Sequence, residues 1–241
     1  MIMFMKKTST FLILAILLMW GMTLGLIFNE HRIAQTASLN LSGMPVVVID
    51  PGHGGVDGGT QGTDSGVLEK DINLAIATQL KDVLEYNGIK VVMTRSDDRS
   101  IHSPDANTIR KQKVSDLKNR VELMRTSQAD IYISIHMNSF EQRTQRGAQV
   151  FFSNFEKEKS MLLAQSIQNN IQNVAPYSNK PVKKALSNVY IMKHAVLPSV
   201  LIECGFLSNP EDETLLSNPA YQERLAAYIA KGVEEYYNTI Q

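Results

Sequence analysis

Apolar runs and amphipathic segments alternate along most of the chain. Beyond the N-terminal segment, the first run is Val46–Ile49, four β-branched residues without polar alternation, which is typical of a strand buried on both faces of an α/β sheet. Asp50-Pro51-Gly52 ends this strand, and His53 follows in a glycine-rich turn. Open α/β sheets bind ligands at the carboxyl ends of their strands, so His53 is a candidate site residue. A single histidine in such a turn is, however, more often only a turn residue.

The next elements predict a strand–helix–strand unit. A helix begins at Glu69, Asn87 and Gly88 end it, and Ile89–Met93 is the second strand. Apolar residues recur in this helix at helical spacing, namely Ile72, Ile76, Leu80, Val83 and Leu84. A helix that connects two strands of one sheet indicates a crossover, so we expect the two strands to be parallel.

The remaining pattern predicts more strands and helices of the same kind. Ile131–His136 alternates, so Ile131, Ile133 and Ile135 face one way while Tyr132 and His136 face the other. The other predicted strands are Gly147–Phe152, Val189–Met192 and Ser199–Cys204. The other predicted helices run from Val114 to about Ser127 and from Leu163 to Val174, and two more follow Asn209-Pro210 and Asn218-Pro219. Loops are predicted over Asp97–Gln112 and Pro176–Ser187. The sequence thus predicts a single three-layer α/β domain with a mostly parallel, twisted sheet of about six strands flanked by helices.

The N-terminal segment has a different character. Lys6 and Lys7 precede Phe11–Phe28, an uncharged and mostly apolar stretch long enough to cross a bilayer. Lysines on its N-terminal side favour an orientation that leaves the rest of the chain outside the cytoplasm. We therefore expect export, with residues 1–28 as a signal peptide or membrane anchor, 29–43 as a linker, and 44–241 as the folded domain. Small residues at Ala34–Ala37 leave cleavage open.

The composition mainly excludes some kinds of partner and of covalent stabilisation. Lys plus Arg and Asp plus Glu both number 24, so the formal net charge is zero and we expect no nucleic-acid partner. The single cysteine, Cys204, cannot form an intrachain disulfide. Packing must therefore stabilise the domain.

Four residues suited to metal or acid–base chemistry lie at predicted element boundaries: His53, Glu69, His136 and Glu203. Each has a structural explanation when it is taken alone. Glu69 suits a helix N-terminus, His136 suits a core, and Glu203 suits an ion pair with a lysine. Together, two imidazoles and a carboxylate are the ligand set of a catalytic zinc site with a fourth position for water. The remaining carboxylate is then a candidate general base.

Four motifs in this order carry a family resemblance: Asp50-Pro-Gly-His-Gly-Gly, Leu68-Glu-Lys-Asp with Asn73-Leu74, Ser134-Ile-His-Met-Asn, and Ile202-Glu-Cys-Gly-Phe-Leu-Ser-Asn. From about Pro45 onward, the chain resembles the zinc-dependent N-acetylmuramoyl-L-alanine amidases of bacterial peptidoglycan, the amidase_3 family. Their fold is similar to that of zinc exopeptidases, of the phosphorylase/hydrolase-like type. The resemblance implies one Zn²⁺ per chain on His53, Glu69 and His136, with Glu203 as the catalytic residue.

The same resemblance implies an activity and a setting. The family hydrolyses the amide between N-acetylmuramic acid and L-alanine, which releases stem peptides from peptidoglycan, so residues 44–241 would be an amidase catalytic domain. One catalytic domain behind an N-terminal membrane segment is most similar to the family's sporulation branch. That branch implies a role in spore cortex maturation needed for germination, through muramic lactam formation. It also implies action in the forespore intermembrane space, a muramic-acid deacetylase in the same pathway, and a protein activator.

The chain also departs from the family pattern. Met124-Arg125 stands where the family usually has Ala-Asn, and Cys204 replaces a usual valine. The Ser139–Arg146 loop is too short for the helix that blocks the active site in some cell-division amidases. None of these differences affects the four key positions.

Further residues are candidates with two explanations each. Asp50 and Asn138 neighbour the ligand histidines and either orient them or serve as a turn-capping Asp and a loop Asn. Lys183 and Lys184, with Arg95, either receive the carboxylates of a muropeptide or form a solvated basic face.

Three other functions compete with the amidase. A zinc exopeptidase of the same general fold would release free amino acids. Cys204 as a nucleophile is a weaker enzyme hypothesis, because a small thiol at a strand end is usually packed. A membrane-tethered wall-binding protein or hydrolase regulator without activity would be expected to lack one of the four key residues, and all four are present.

Overall fold

The computed structural model describes residues 43–240, and a six-stranded sheet runs through this part of the chain. The strands are β1 (Val46–Pro51), β2 (Lys90–Met93), β3 (Ile131–Asn138), β4 (Gln149–Phe152), β5 (Lys183–Lys184) and β6 (Ser199–Phe206). Their order is β2-β1-β3-β6-β4-β5, and every neighbouring pair is parallel except the antiparallel β4–β6 pair. The predicted mostly parallel sheet is confirmed.

Helices cover both faces of this sheet. They are α1 (Glu69–Tyr86), α2 (Ile109–Thr126), α3 (Lys157–Ile171), α4 (Tyr190–Lys193), α5 (Pro210–Leu216) and α6 (Pro219–Ile240). Alternation along β3 divides the interior: Ile131, Ile133 and Ile135 join a larger core with α1, α3 and α6. Tyr132 joins a smaller core with α2 and α4 on the other face. The predicted alternation and the three layers are both confirmed.

Some element assignments differ from the prediction. Val189–Met192, predicted as a strand, overlaps the one-turn helix α4, which buries Ile191 and Met192 in the smaller core. A short apolar run does not distinguish a strand from a buried helical turn. The Lys183–Lys184 pair, predicted within a loop, forms the edge strand β5. Helix α2 begins inside the predicted Asp97–Gln112 loop, because the Thr108 side chain accepts a hydrogen bond from a backbone N–H and caps it.

The predicted N-terminal segment, residues 1–28, lies outside the described residues, so its role as signal peptide or anchor stays a prediction. Within residues 43–240, no helix combines the length and the apolar character that a bilayer span requires.

A buried ion network lies beneath the carboxyl end of β1. Asp50 is fully buried, and its carboxylate accepts hydrogen bonds from the hydroxyls of Thr94 and Ser134, both at 2.7 Å. It also pairs with the guanidinium of Arg120 on α2. Burial alone would raise the pKa of Asp50, but Arg120 and the two hydroxyls outweigh burial and lower that pKa to about 2.

Arg120 connects this network to the turn that follows β1. Its guanidinium pairs with Asp116 one helical turn away at 2.6 Å. It also donates to the backbone carbonyl oxygens of Pro51 at 2.9 Å and His53 at 2.6 Å. One side chain therefore joins α2, the strand β1 and the His53 backbone.

We expect Arg120→Ala to lower the free energy of unfolding by ~3–5 kcal/mol, because it leaves the buried Asp50 carboxylate without its counter-ion. Urea unfolding of the full chain measures this change. Arg125→Ala is the matched control on the same helix, since the Arg125 side chain is 60% exposed; we expect a change within about 0.5 kcal/mol. Similar losses for the two variants would contradict the assigned role of Arg120.

Candidate metal centre and active site

The carboxyl ends of three strands deliver three of the predicted residues to one edge of the sheet. His53 follows β1, His136 lies near the end of β3, and Glu203 lies near the end of β6. His136 and Glu203 are register partners in the parallel β3–β6 pair. Glu69 reaches the same place from the first residue of α1. The structure thus brings the four predicted residues together.

The His53 imidazole lies between two carboxylates. Its Nδ1 is 3.1 Å from Asp57, and its Nε2 is 3.2 Å from Oε1 of Glu69. Burial alone would lower the pKa of His53, but the hydrogen bonds and charges of Asp57 and Glu69 outweigh it and raise the pKa to about 9. The His53 backbone has a φ of 64°, a left-handed conformation that non-glycine residues seldom adopt and that often marks a functional site.

The Glu69 carboxylate is held in one orientation by several donors. Backbone N–H groups donate to it from Thr60 at 2.8 Å and from Met137 at 3.0 Å, and Nδ1 of His136 is 2.9 Å away. Burial opposes ionisation, but the two histidines outweigh it and keep the pKa of Glu69 well below its usual range. Glu69 is therefore a carboxylate at neutral pH.

Two glycines allow the close packing around these residues. A Cβ at Gly52 would lie 2.3 Å from Nε2 of His136, which is far inside contact distance. A Cβ at Gly59 would lie 2.5 Å from a Glu69 carboxylate oxygen, and the φ of Gly59 is +70°. Both positions accept only glycine because the side chains of His136 and Glu69 pass directly over the backbone.

The arrangement of His53, Glu69 and His136 fits a metal ion. One ligand atom from each residue lies within 4.8 Å of the other two. The Nε2 of His53 and the Nδ1 of His136 face the same Glu69 oxygen at 3.2 and 2.9 Å. Two imidazole nitrogens and a carboxylate oxygen form a common three-residue set of catalytic metal sites, which leaves a position open for water or substrate.

Glu203 provides the second chemical feature of the site. Its Oε2 is buried and has no hydrogen-bond partner within the described part of the chain. Burial, helped by the negative charge of Glu69, raises the pKa of Glu203 to about 7 although the two histidines oppose this shift. A carboxyl group in this state can accept or release a proton near neutral pH.

The remaining predicted residues have supporting positions. Among residues 43–240, Asp50 has no hydrogen bond to His53 or His136; it pairs with Arg120, which donates to the His53 carbonyl oxygen. The Asn138 side chain accepts from the Ser139 backbone N–H at 2.8 Å, as a loop-capping residue does. Arg95 is only 3% exposed, and its guanidinium donates to backbone carbonyls around the His53 turn. Its suggested contact with a substrate carboxylate is therefore wrong: Arg95 supports the turn.

The structure also separates Cys204 from the site. Its side chain packs in the larger core, on the face opposite to Glu203, and burial raises the pKa of the thiol. A buried, protonated thiol is a poor nucleophile.

Two contributors escaped sequence reasoning, namely Asp57 and Arg120. Asp57 carried a weak signal, because it follows His53 by four residues in the same glycine-rich loop. Arg120 lies 67 residues beyond His53 in an ordinary amphipathic helix, and nothing in the sequence indicates that it reaches the site.

Comparison with known proteins agrees with this geometry. Residues 47–235 match the family model described as N-acetylmuramoyl-L-alanine amidase. The germination-specific N-acetylmuramoyl-L-alanine amidase of Bacillus subtilis is 38% identical over 210 residues, which cover 87% of this chain and 86% of that protein. The amidase AmiA of Escherichia coli is 32% identical over 81% of this chain and 77% of its own length.

Solved structures show the same fold. The CwlD amidase of Clostridioides difficile, in complex with the GerS lipoprotein, matches with a TM-score of 0.77 and 40% identity over 81% of this chain and 99% of its own. The catalytic domain of the amidase CwlV from Bacillus (Paenibacillus) polymyxa matches with a TM-score of 0.69 and 29% identity over 81% and 99% of the two chains. The chain belongs to the N-acetylmuramoyl-L-alanine amidase family, as its four motifs predicted.

Proposed function

We propose that this peptidoglycan amidase works with one zinc ion held by His53, Glu69 and His136, and with Glu203 as its general base. One observation carries the proposal: three possible ligand atoms converge beside Glu203, whose buried Oε2 has no hydrogen-bond partner among residues 43–240. The family supplies the reaction, hydrolysis of the amide between N-acetylmuramic acid and L-alanine.

Glu203 and Asp57 have different roles in the proposed reaction. Zinc, when bound, polarises the lactoyl carbonyl of the muramic acid and makes water a stronger nucleophile. Glu203 takes a proton from the attacking water at its free carboxylate oxygen and passes it to the nitrogen of the departing L-alanine. Asp57 accepts from Nδ1 of His53, which leaves Nε2 facing Glu69 and the metal position.

We further propose a role in spore cortex maturation. The support is the 38% identity to the germination-specific amidase of Bacillus subtilis and the 40% identity to CwlD, which was solved with a lipoprotein partner. The enzyme then acts outside the cytoplasm, attached or directed to the membrane by its N-terminal segment. A protein activator and a muramic-acid deacetylase act with it, and the removal of stem peptides allows muramic lactam to form.

The basic test is incubation of the full chain with purified peptidoglycan, with Zn²⁺ or with a chelator, followed by mass spectrometry of the released material. We expect stem peptides that begin with L-alanine, and only in the presence of zinc. Release of free amino acids, or equal release with the chelator, would contradict the proposal.

The role of Glu203 predicts that Glu203→Gln keeps zinc but loses about 100-fold to 10,000-fold in turnover, because the amide cannot accept the water proton. Zinc content by elemental analysis and stem-peptide release are measured together. Glu211→Gln is the control, since the Glu211 side chain is 64% exposed on α5, and it should retain full activity. Near-normal turnover in Glu203→Gln would refute the general-base role.

The carboxylates around His53 predict a pH-dependent metal affinity. Without metal, the pKa of His53 is about 9, so at lower pH a proton occupies the ring and must leave before zinc can bind. We therefore expect zinc affinity to fall by up to ~10-fold for each unit of pH below 9. Calorimetric titrations between pH 6 and 8, in buffers of different ionisation enthalpy, measure both the affinity and the released proton. An affinity that does not change with pH would contradict this account.

A further inference from the structure

Three side chains form a row across the carboxyl edge of the sheet. Glu203 on β6 is the register partner of His136 on β3 and of Gln149 on β4. Partners in neighbouring strands project from the same face, so the row continues from the metal centre past the general base to Gln149. The Gln149 side-chain amide is fixed there, because its Nε2 donates to the Pro181 carbonyl oxygen at 2.8 Å.

Lys183 lies one strand beyond this row and two residues further from the carboxyl edge of the sheet. In the parallel β4–β5 pair, Lys183 is the partner of Phe151, which packs against the smaller core and lies two residues after Gln149. Lys183 therefore shares the face of Gln149 and Glu203. Lys184 is the partner of Phe152, which lies in the larger core, so Lys184 projects from the opposite face. Both lysines are exposed.

The charge near Lys183 is mainly positive. Within residues 43–240, Lys183 forms no ion pair. Lys180 lies close to Lys183. Burial lowers the pKa of Lys180, and the positive charge of Lys183 lowers this pKa further, although the negative charge of Asp212 raises it. The Lys180 ammonium is itself held by the backbone carbonyl of Gly147 at 2.8 Å. Lysines without an ion pair among residues 43–240, one strand beyond the row that starts at His136, favour an anionic ligand.

We infer that the stem peptide of the substrate runs from Glu203 across β4, and that Lys183 binds the free carboxylate of its second residue, D-glutamate. The Gln149 amide offers both a donor and an acceptor to the peptide backbone on the way. This inference rests on the proposed function, and it makes Lys183 a determinant of specificity for acidic over amidated stem peptides.

The dimensions of the sheet suit this path. Neighbouring strands are about 4.8 Å apart and successive residues rise by about 3.4 Å, so the backbone of Lys183 is roughly 12 Å from that of Glu203. A carboxylate on the second residue of an extended peptide is about 7 Å from the scissile amide. The flexible four-carbon arm of Lys183 covers the remaining distance.

The test compares two muramyl peptides with the full chain: one has D-glutamate at the second position, and the other has its α-amide, D-isoglutamine. Lys183→Ala and the matched control Lys184→Ala are assayed with both at low salt, where an exposed ion pair is least screened. We expect Lys183→Ala to raise KM for the acidic peptide by about 3–5-fold, as an exposed ion pair allows, with kcat unchanged. We expect KM for the amidated peptide to stay the same, and Lys184→Ala to change neither value.

Each possible result either supports or overturns the proposed peptide path. A rise in KM confined to Lys183→Ala and the acidic peptide supports the path. Equal changes for both peptides, equal changes in both variants, or no change at all would overturn it while leaving the amidase activity intact. Failure of the unaltered chain to release either stem peptide would refute the proposed function, and the inference with it.

Discussion

The buried ion pair between Asp50 and Arg120 is the constraint on which the geometry of the active site depends. Asp50 ends the β1 core segment, Arg120 comes from α2, and the same guanidinium donates to the carbonyl oxygen of His53. The His53 backbone lies in a left-handed conformation that costs free energy, of the order of 1 kcal/mol or more. This network and the Arg95 guanidinium, which holds the neighbouring Gly52 carbonyl, compensate for that cost. The fold itself thus holds His53 in position.

The parallel sheet then brings the remaining groups together. Because β1, β3 and β6 run in the same direction, their carboxyl ends share one edge, and residues far apart in sequence meet there. The antiparallel strand β4 adds Gln149 directly beside Glu203. The larger core supports this edge from one face through α1, which also supplies Glu69. On the other face, His136, Glu203 and Gln149 form a row across β3, β6 and β4.

Sequence reasoning predicted the parts of this structure that depend on local pattern. The alternation in β3, the burial of β1 and the helical period of α1 follow from apolar spacing, and four motifs marked the candidate metal centre. Partners that depend on tertiary contact carried no such signal. The sequence around Arg120 is that of an ordinary amphipathic helix. Arg95 was expected to be available to a substrate or to solvent, but it is buried against backbone carbonyl oxygens. The helix α4 was assigned as a strand because four apolar residues do not determine their own period.

The central claim is that His53, Glu69 and His136 hold one zinc ion while Glu203 remains free to move protons. A crystal structure of the zinc-loaded full chain, with anomalous scattering recorded at the zinc edge, tests this most directly. The account predicts one anomalous peak per chain, bonded to Nε2 of His53, a carboxylate oxygen of Glu69 and Nδ1 of His136, with Glu203 outside bonding distance. A peak bonded to Glu203 in place of one of these three residues, or no peak at this edge of the sheet, would contradict it.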